Sequence, residues 1–423
     1  MSYPTPGSIS PNRPSTKWGM LAIVSAAFIA MAANQVNIST GFGEISAEFG
    51  LAISDVALLI SVFVLTYGIL HVPGGFVATR WGLKRAMAWG LTVEAIGVLM
   101  SATSTSFVWL IFWRGVAGAG AAVLAAVGIA AASIWFRESK HHALAVGIVV
   151  GAFSGGFALG LYTWAEITFL TGWRTSMAIG GGVCLVIAVI IAIWFRVPTG
   201  IDSLAGTRLT KQGLKEALGA RNAWLYGIAF LGAYGSYFAA TQLISGYGGT
   251  RGFSGDVVAL AALLIGLAGV PGSVVAGLVA DRIANLRALF LTGVLLEALF
   301  LALLPFAGPT LFWLLALGLG FILNFTLAIW ATVPGRSRGI SPENIGTVVG
   351  LMLSISAIGG VILPWAFGQL VEKSGYTAAW IFLGISTAVV SVICLFARPA
   401  ANAAATSHGE QVDKPVAVSR DGV

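Results

Sequence analysis

Arg114 stands alone in a long apolar run, FVWLIFWRGVAGAGAAVLAAVGIAAASIW, where the nearest charges along the chain are Glu94 before it and Arg137 after it. In lipid such an arginine costs about 2.5 to 3.5 kcal/mol at a helix centre, so it must face the protein interior and a partner. Two chemistries suit it: holding the negative group of a ligand or coupling to a moving proton, and, more plainly, binding helix carbonyls or reaching outward. Glu94 and Glu297 are the acids in the interior of apolar runs. Burial raises a carboxyl toward neutrality, so either could carry a proton, or could rest as a neutral carboxyl bonded to a neighbouring helix. Glu94 is the better proton candidate because its run directly precedes the one with Arg114. Asn34, Gln35 and Asn324 are amides at depth that need partners in lipid. Tyr226, Phe230, Tyr234, Tyr237 and Thr241 recur at helical spacing and form a stripe that suits either packing or a binding surface. His71 reads as structural, and no His or Cys partner at ligand spacing points to a metal.

The elements that must hold these groups follow from composition. Of 423 residues 57% are hydrophobic and 9% charged, which is too few charges to clothe a soluble protein. Apolar runs fall at 18–39, 54–77, 86–104, 107–134, 143–164, 175–195, 223–245, 257–280, 288–306, 310–333, 345–366 and 379–397. Twelve runs of about 20 residues each match twelve membrane helices. The fold class expected is therefore an all-α membrane protein, without alternating barrel strands. The first run lacks a convincing cleavage site and reads as a retained helix. Arg174, Arg251 and Lys373 lie on one side of these spans and Arg114 within one, so the remaining 19 of the 23 Lys and Arg lie on the side of both termini. By the positive-inside rule that side is cytoplasmic, so the net charge of +7 reports topology rather than nucleic-acid binding. Cys184 and Cys394 both fall in apolar runs and offer no disulfide framework.

The connection 196–222, which carries Leu209, Leu214 and Leu218 on an amphipathic stretch, divides the chain into halves 18–195 and 223–397, with tails 1–17 and 398–423. GGFVATRWGLKR at 74–85 is echoed by GLVADRIANLR at 277–287. Gly147, Gly151, Gly155 and Gly160 in the fifth run match Gly346, Gly350, Ser354 and Gly359 in the eleventh, each at about four-residue spacing along one face. RGVAGAG at 114–120 lies opposite LLALGLG at 314–320, so the partner of Arg114 is Leu314 and the charge occurs in one half alone. Two repeated six-helix halves imply a transporter architecture with its site between them.

These residues resemble the major facilitator superfamily of secondary transporters from Trp18 to Arg398. The loop 74–85 is similar to that family's signature loop, and the resemblance assigns Gly75, Arg80, Gly82, Lys84, Arg85, Asp281 and Arg282 to gating at the cytoplasmic face. Thr79 stands where the family usually has an aspartate, while the second copy keeps Asp281. Arg114 with Gly118 and Gly120 looks like the family's fourth-helix motif, whose arginine is tied to coupling or substrate contact. In the family the first, fourth, seventh and tenth helices line the cavity, which makes Asn34, Gln35, Tyr234, Tyr237, Thr241 and Asn324 candidates beside Arg114. The third and ninth helices usually lie outside, which favours the structural reading of Glu94 and Glu297. GAFSGGFALG at 151–160 lacks the proline of drug and proton antiporters.

The expectation is a secondary active transporter, working by alternating access, that takes up a small organic anion such as a carboxylate with protons. It would act as a monomer in the plasma membrane, a bacterial inner membrane, with no cofactor, no metal and no enzymatic activity. The rivals are an exporter of apolar or cationic compounds and a transporter-like sensor.

Overall fold

The computed structural model describes residues 14–51, 56, 58–198, 215–216, 218–283, 285–337, 340–341 and 344–397. Leu209 and Leu214, both tails except 14–17, and most of the 196–222 connection lie outside the described residues. Among the described residues, nine helices are long and apolar enough to cross a membrane. Leu83–Ala102 and Arg221–Thr250 add two, being long enough but carrying more polar residues, and Ile345–Phe396 breaks at Gly375 into two, which gives twelve crossings.

In order, the first span is Pro14–Thr40, the second Leu58–Trp81, the third Leu83–Ala102, the fourth Phe107–Trp135, the fifth His142–Thr171 and the sixth Trp173–Trp194. The seventh is Arg221–Thr250, the eighth Gly255–Leu267 continued by Gly269–Arg282, the ninth Leu286–Leu303 and the tenth Pro309–Arg336. The eleventh and twelfth are the parts of Ile345–Ser391 before and after Gly375. A short helix, Phe42–Phe49, follows the first span where the sequence suggests a plain loop. Its Glu44 accepts from the Trp173 amide at 2.9 Å, and Glu48 accepts from the Trp173 indole at 3.0 Å, so it docks on the start of the sixth span.

The repeat is visible in the backbone. The fifth span turns into the sixth at Gly172 (φ 83, ψ 158), and the eleventh turns into the twelfth at Gly375 (φ 81, ψ 171). That conformation lies in the region a side chain rarely adopts, so glycine is what each half needs at its last turn.

Close seams join the halves, the second span against the eleventh and the fifth against the eighth. At Gly75 a Cβ would lie 2.5 Å from the Cα of Thr347, and at Gly277 a Cβ would lie 2.5 Å from the Cα of Leu144. Lipid supplies no hydrophobic drive between apolar helices, so such backbone approach is what lets dispersion forces hold the seams. Of the four-residue pattern, Gly147, Gly151, Gly155, Gly346, Gly350 and Ser354 meet the other half, whereas Gly160 packs on Ala33 and Gly359 on Leu231 within their own halves.

Candidate functional site

The fourth span enters from the end opposite the termini, and Arg114 lies seven residues in, about 10 Å deep at 1.5 Å per residue. It is completely buried. Its Nη2 donates to the Gln35 carbonyl of the first span at 3.1 Å, its Nε to the Leu59 carbonyl of the second at 3.5 Å, and its guanidinium carbon lies 4.7 Å from the Phe63 ring centre. Nη1 is buried without a partner among the described residues. Arg114 thus combines the two readings open in the sequence: it binds helix carbonyls, and it keeps one donor face free.

Glu94 of the third span is also fully buried, with both carboxyl oxygens unpartnered, and Arg114 is the charge that acts on it. The two form no direct ion pair, since the ion pairs among the described residues are Arg174–Glu48 and Arg336–Asp281. Glu94 and Tyr234 both lie near Tyr67 of the second span, which packs over Phe63 at 6.1 Å between ring centres and against His71 at 4.1 Å. Tyr67 therefore links the Arg114 neighbourhood to the seventh span of the other half. Sequence reading missed it, although it sits at helical spacing, four residues each way, between Phe63 and His71.

A second constellation lies near mid-depth. Asn324 of the tenth span accepts from Ser154 of the fifth at 2.5 Å and donates to the Gly320 carbonyl at 3.0 Å, while the Tyr237 hydroxyl faces its amide. Glu297 is buried and unpartnered, with Tyr237 in its field. Ser154 had no signal beyond its place in a glycine-rich stripe.

Other candidates are placed elsewhere. Asn34 donates to the Gly180 carbonyl and to Cys184 Sγ, each at 2.9 Å, so its amide ties the first span to the sixth. Gln35, one residue on, reaches Arg114 through its carbonyl. The aromatic stripe divides: Tyr226 and Phe230 pack on Phe290, and Phe230 also on Trp330, inside the second half, while Tyr234 and Tyr237 stay half-buried. Thr241 donates back to the Tyr237 carbonyl at 2.9 Å.

The loop residues meet at the terminus-bearing end. Asp281 accepts from the amides of Ala143 at 2.8 Å and Leu144 at 3.0 Å, and pairs with Arg336 at 2.9 Å. The first amides of a helix have no partner within it and carry the positive end of its dipole, so an acid from the second half caps the fifth span of the first. Arg336 also donates to the Ala280 carbonyl at 2.9 Å. Arg137 donates across the seam to the Ile340 carbonyl at 3.2 Å, and Glu216 accepts from the Ser341 hydroxyl at 3.1 Å. Lys84 donates to the Ile193 carbonyl at 3.4 Å within its own half; Arg80, Arg85 and Arg282 are exposed, and Gly75 lies in the seam. Gly82, at φ 78, makes the turn into the third span. The side chain of Thr79 is outside the described residues.

Comparison with known proteins agrees with twelve spans in two repeats: residues 23–338 fit the Major Facilitator Superfamily. The chain belongs to the Major Facilitator Superfamily. Among curated superfamily relatives, the probable sulfoacetate transporter SauU of Cupriavidus necator is 25% identical over 92% of this chain and 95% of its own. The sialic acid transporter NanX of Escherichia coli is 24% identical over 76% of this chain and 78% of its own, and the agnestins efflux protein AgnL12 of Paecilomyces divaricatus 22% identical over 93% and 90%. Solved superfamily structures share the fold. The fucose:proton symporter of E. coli has a TM-score of 0.71 at 15% identity, covering 90% of this chain and 99% of that one, and a human organic anion transporter has 0.71 at 15%, covering 90% and 100%.

Proposed function

We propose that this protein takes up a small organic anion, carboxylate in character, together with protons, by rocking the halves 18–195 and 223–397 about a site that includes Arg114. The observation that carries the reading is the buried, unpartnered Nη1 of Arg114. A guanidinium already held by carbonyls at Nε and Nη2 is pre-organised to receive a carboxylate without first reorganising. Tyr234, Tyr237 and Asn324 supply donors from the other half, and Glu94, in the field of Arg114, is the proton carrier. The names of two relatives, a sulfoacetate and a sialic acid transporter, suit an organic acid as cargo.

The excess of Lys and Arg on the terminus-bearing side supports a cytoplasmic location for that side. We read the protein as a plasma-membrane monomer that transports rather than catalyses and that works without a cofactor. The inter-half hydrogen bonds then seal the cytoplasmic end, and the loading side is external. The efflux relative supports the rival direction, export. Purified protein in liposomes, offered a panel of labelled carboxylates and sulfonates with and without an inward proton gradient, tests both. Saturable uptake of an acid that rises with the gradient is expected. Transport of apolar or cationic compounds with every acid refused would reject the anion reading.

A further inference from the structure

His142 is the first residue of the fifth span and is 1% exposed, with both ring nitrogens unpartnered among the described residues. Its ring lies against the tenth span of the other half: a Cβ at Gly335 would be 2.6 Å from Nε2. The same position would be 3.4 Å from the Cβ of Ser133, so the ring occupies the seam where the fourth, fifth and tenth spans meet.

We infer that His142 is a proton-binding site built into the seal at the terminus-bearing end, so that acid on that side holds the seal open. The groups around it from each packed element give the sign. The tenth span brings Arg336, and the turn after the fourth span brings Arg137, the two charges that act on His142. The eighth brings Asp281, whose oxygens are already taken by Arg336 and by the amides of Ala143 and Leu144. On its own turn Glu138 and Lys140 are exposed, and the His141 ring is turned toward Trp18 at 6.2 Å between centres. An imidazolium here would be desolvated with no acceptor, beside two guanidiniums, at the positive end of a helix dipole. The sealed state therefore holds His142 neutral.

When the halves rock apart, Gly335 leaves the ring and His142 meets water, where an ordinary histidine titrates near pH 6.5. The proton then binds the open state and not the sealed one. By linkage the open-to-sealed ratio rises as pH falls through about 6.5, by up to tenfold per unit below it. Asp281 acts in a separate window, because a carboxylate is protonated only at much lower pH. The device would make the transporter self-limiting: protons delivered to that side delay resealing. The inference rests on the rocking of the halves and is independent of the cargo.

The experiment uses the full chain in lipid nanodiscs without cargo, with spin labels at exposed Lys140 and Ile283, on opposite halves at this end. Between pH 8 and 5.5 the wild type is expected to gain a longer-distance population, and His142→Gln to lose that response. His71→Gln, altering the other fully buried histidine, is expected to keep it. Gly335→Ala, which places a methyl where the ring sits, should enlarge the open population at every pH. A wild type with no pH response, a response kept in His142→Gln, or a response lost in His71→Gln instead would overturn the inference. Failure of every acid in the uptake panel would leave this measurement untouched, so the two readings fail separately.

Discussion

The two ends of the molecule are tied differently. At the terminus-bearing end the bonds of Asp281, Arg137 and Ser341 run across the seam or to the connection between the halves. At the opposite end each half carries an arginine that closes on itself. Arg174 pairs with Glu48 and donates to the carbonyls of Ala102 and Ser104, each at 2.8 Å, which gathers three loops of the first half. Arg251 donates to the Tyr247 hydroxyl at 2.8 Å and to the carbonyls of Pro305 and Ala307, all in the second half. Bonds within a half keep it rigid through a rocking motion; bonds between halves must break in it. The difference teaches that one end holds a state and the other holds a body.

The largest expected effect lies at Arg114, about 10 Å in from the unsealed end. Arg114→Ala should abolish cargo binding at ordinary concentrations, while Arg114→Lys, which keeps the charge and loses the planar fork, should weaken it by about 1.5 to 3 kcal/mol, roughly 10-fold to 150-fold in Kd. Calorimetry on folded variants measures this, and wild-type affinity in both would remove the anion site. Glu94→Gln is expected to leave binding largely intact and to uncouple uptake from the proton gradient.

Next comes the seal itself. Asp281→Asn removes a half-buried, charge-assisted cap and ion pair, so the Lys140–Ile283 label pair should report a shift toward the open state of about tenfold or more. Thr79→Ala, in the copy without an acid, should shift it by less, and equal shifts would deny the second copy its special role. Gly75→Ala places a methyl against the Thr347 backbone, an overpacking of about 1 to 3 kcal/mol against the sealed state alone. Gly249→Ala, at an exposed position with nothing nearby, should change nothing and marks the baseline.

The smallest effect belongs to the opposite end. The Arg174–Glu48 pair is over a third exposed, so screening leaves it about 0.2 to 1 kcal/mol, and Arg174→Ala should lower thermal stability slightly without moving the labels. Partial burial pushes the Glu48 carboxyl up, but hydrogen bonds from Arg174 and Trp173 and the Arg174 charge outweigh it and hold it below its ordinary range. A lowered carboxyl contributes stability above its unfolded value and loses it as pH falls through the folded one. Thermal melts should therefore show this contribution fading only in acid below about pH 4.5, outside the window in which His142 acts. A label shift in Arg174→Ala would erase the contrast between the ends.

Much of this molecule was legible in its sequence because lipid imposes a simple rule: each crossing needs about 20 apolar residues with its backbone bonded internally. That rule fixed twelve spans, and the repeats at 74–85 and 277–287 fixed two halves. An arginine in such a run has to point inward, and Arg114 does. Boundaries were less legible. The eleventh and twelfth spans meet at Gly375 rather than across the loop 367–378, since a positive φ can reverse the chain in one residue and leaves no apolar gap to read.

What only the tertiary structure decided is which neighbour each polar group meets. Helical spacing gives a face relative to its own axis and says nothing of the helix opposite, so Asn34 and Gln35 looked alike, yet the Asn34 amide binds the sixth span and Gln35 meets Arg114 through its main-chain carbonyl. Asp281 could be read as an acid in a loop, but its capping of the fifth span depends on a partner 137 and 138 residues away in the chain. His142 had no signal at all, because its character comes from Gly335 and Arg336 of the other half, which a one-dimensional pattern keeps apart. Hydropathy reports the transfer of each helix into lipid, a property local to the chain; the pairing of helices is set by close backbone approach and directional bonds, and these exist only after the halves have packed.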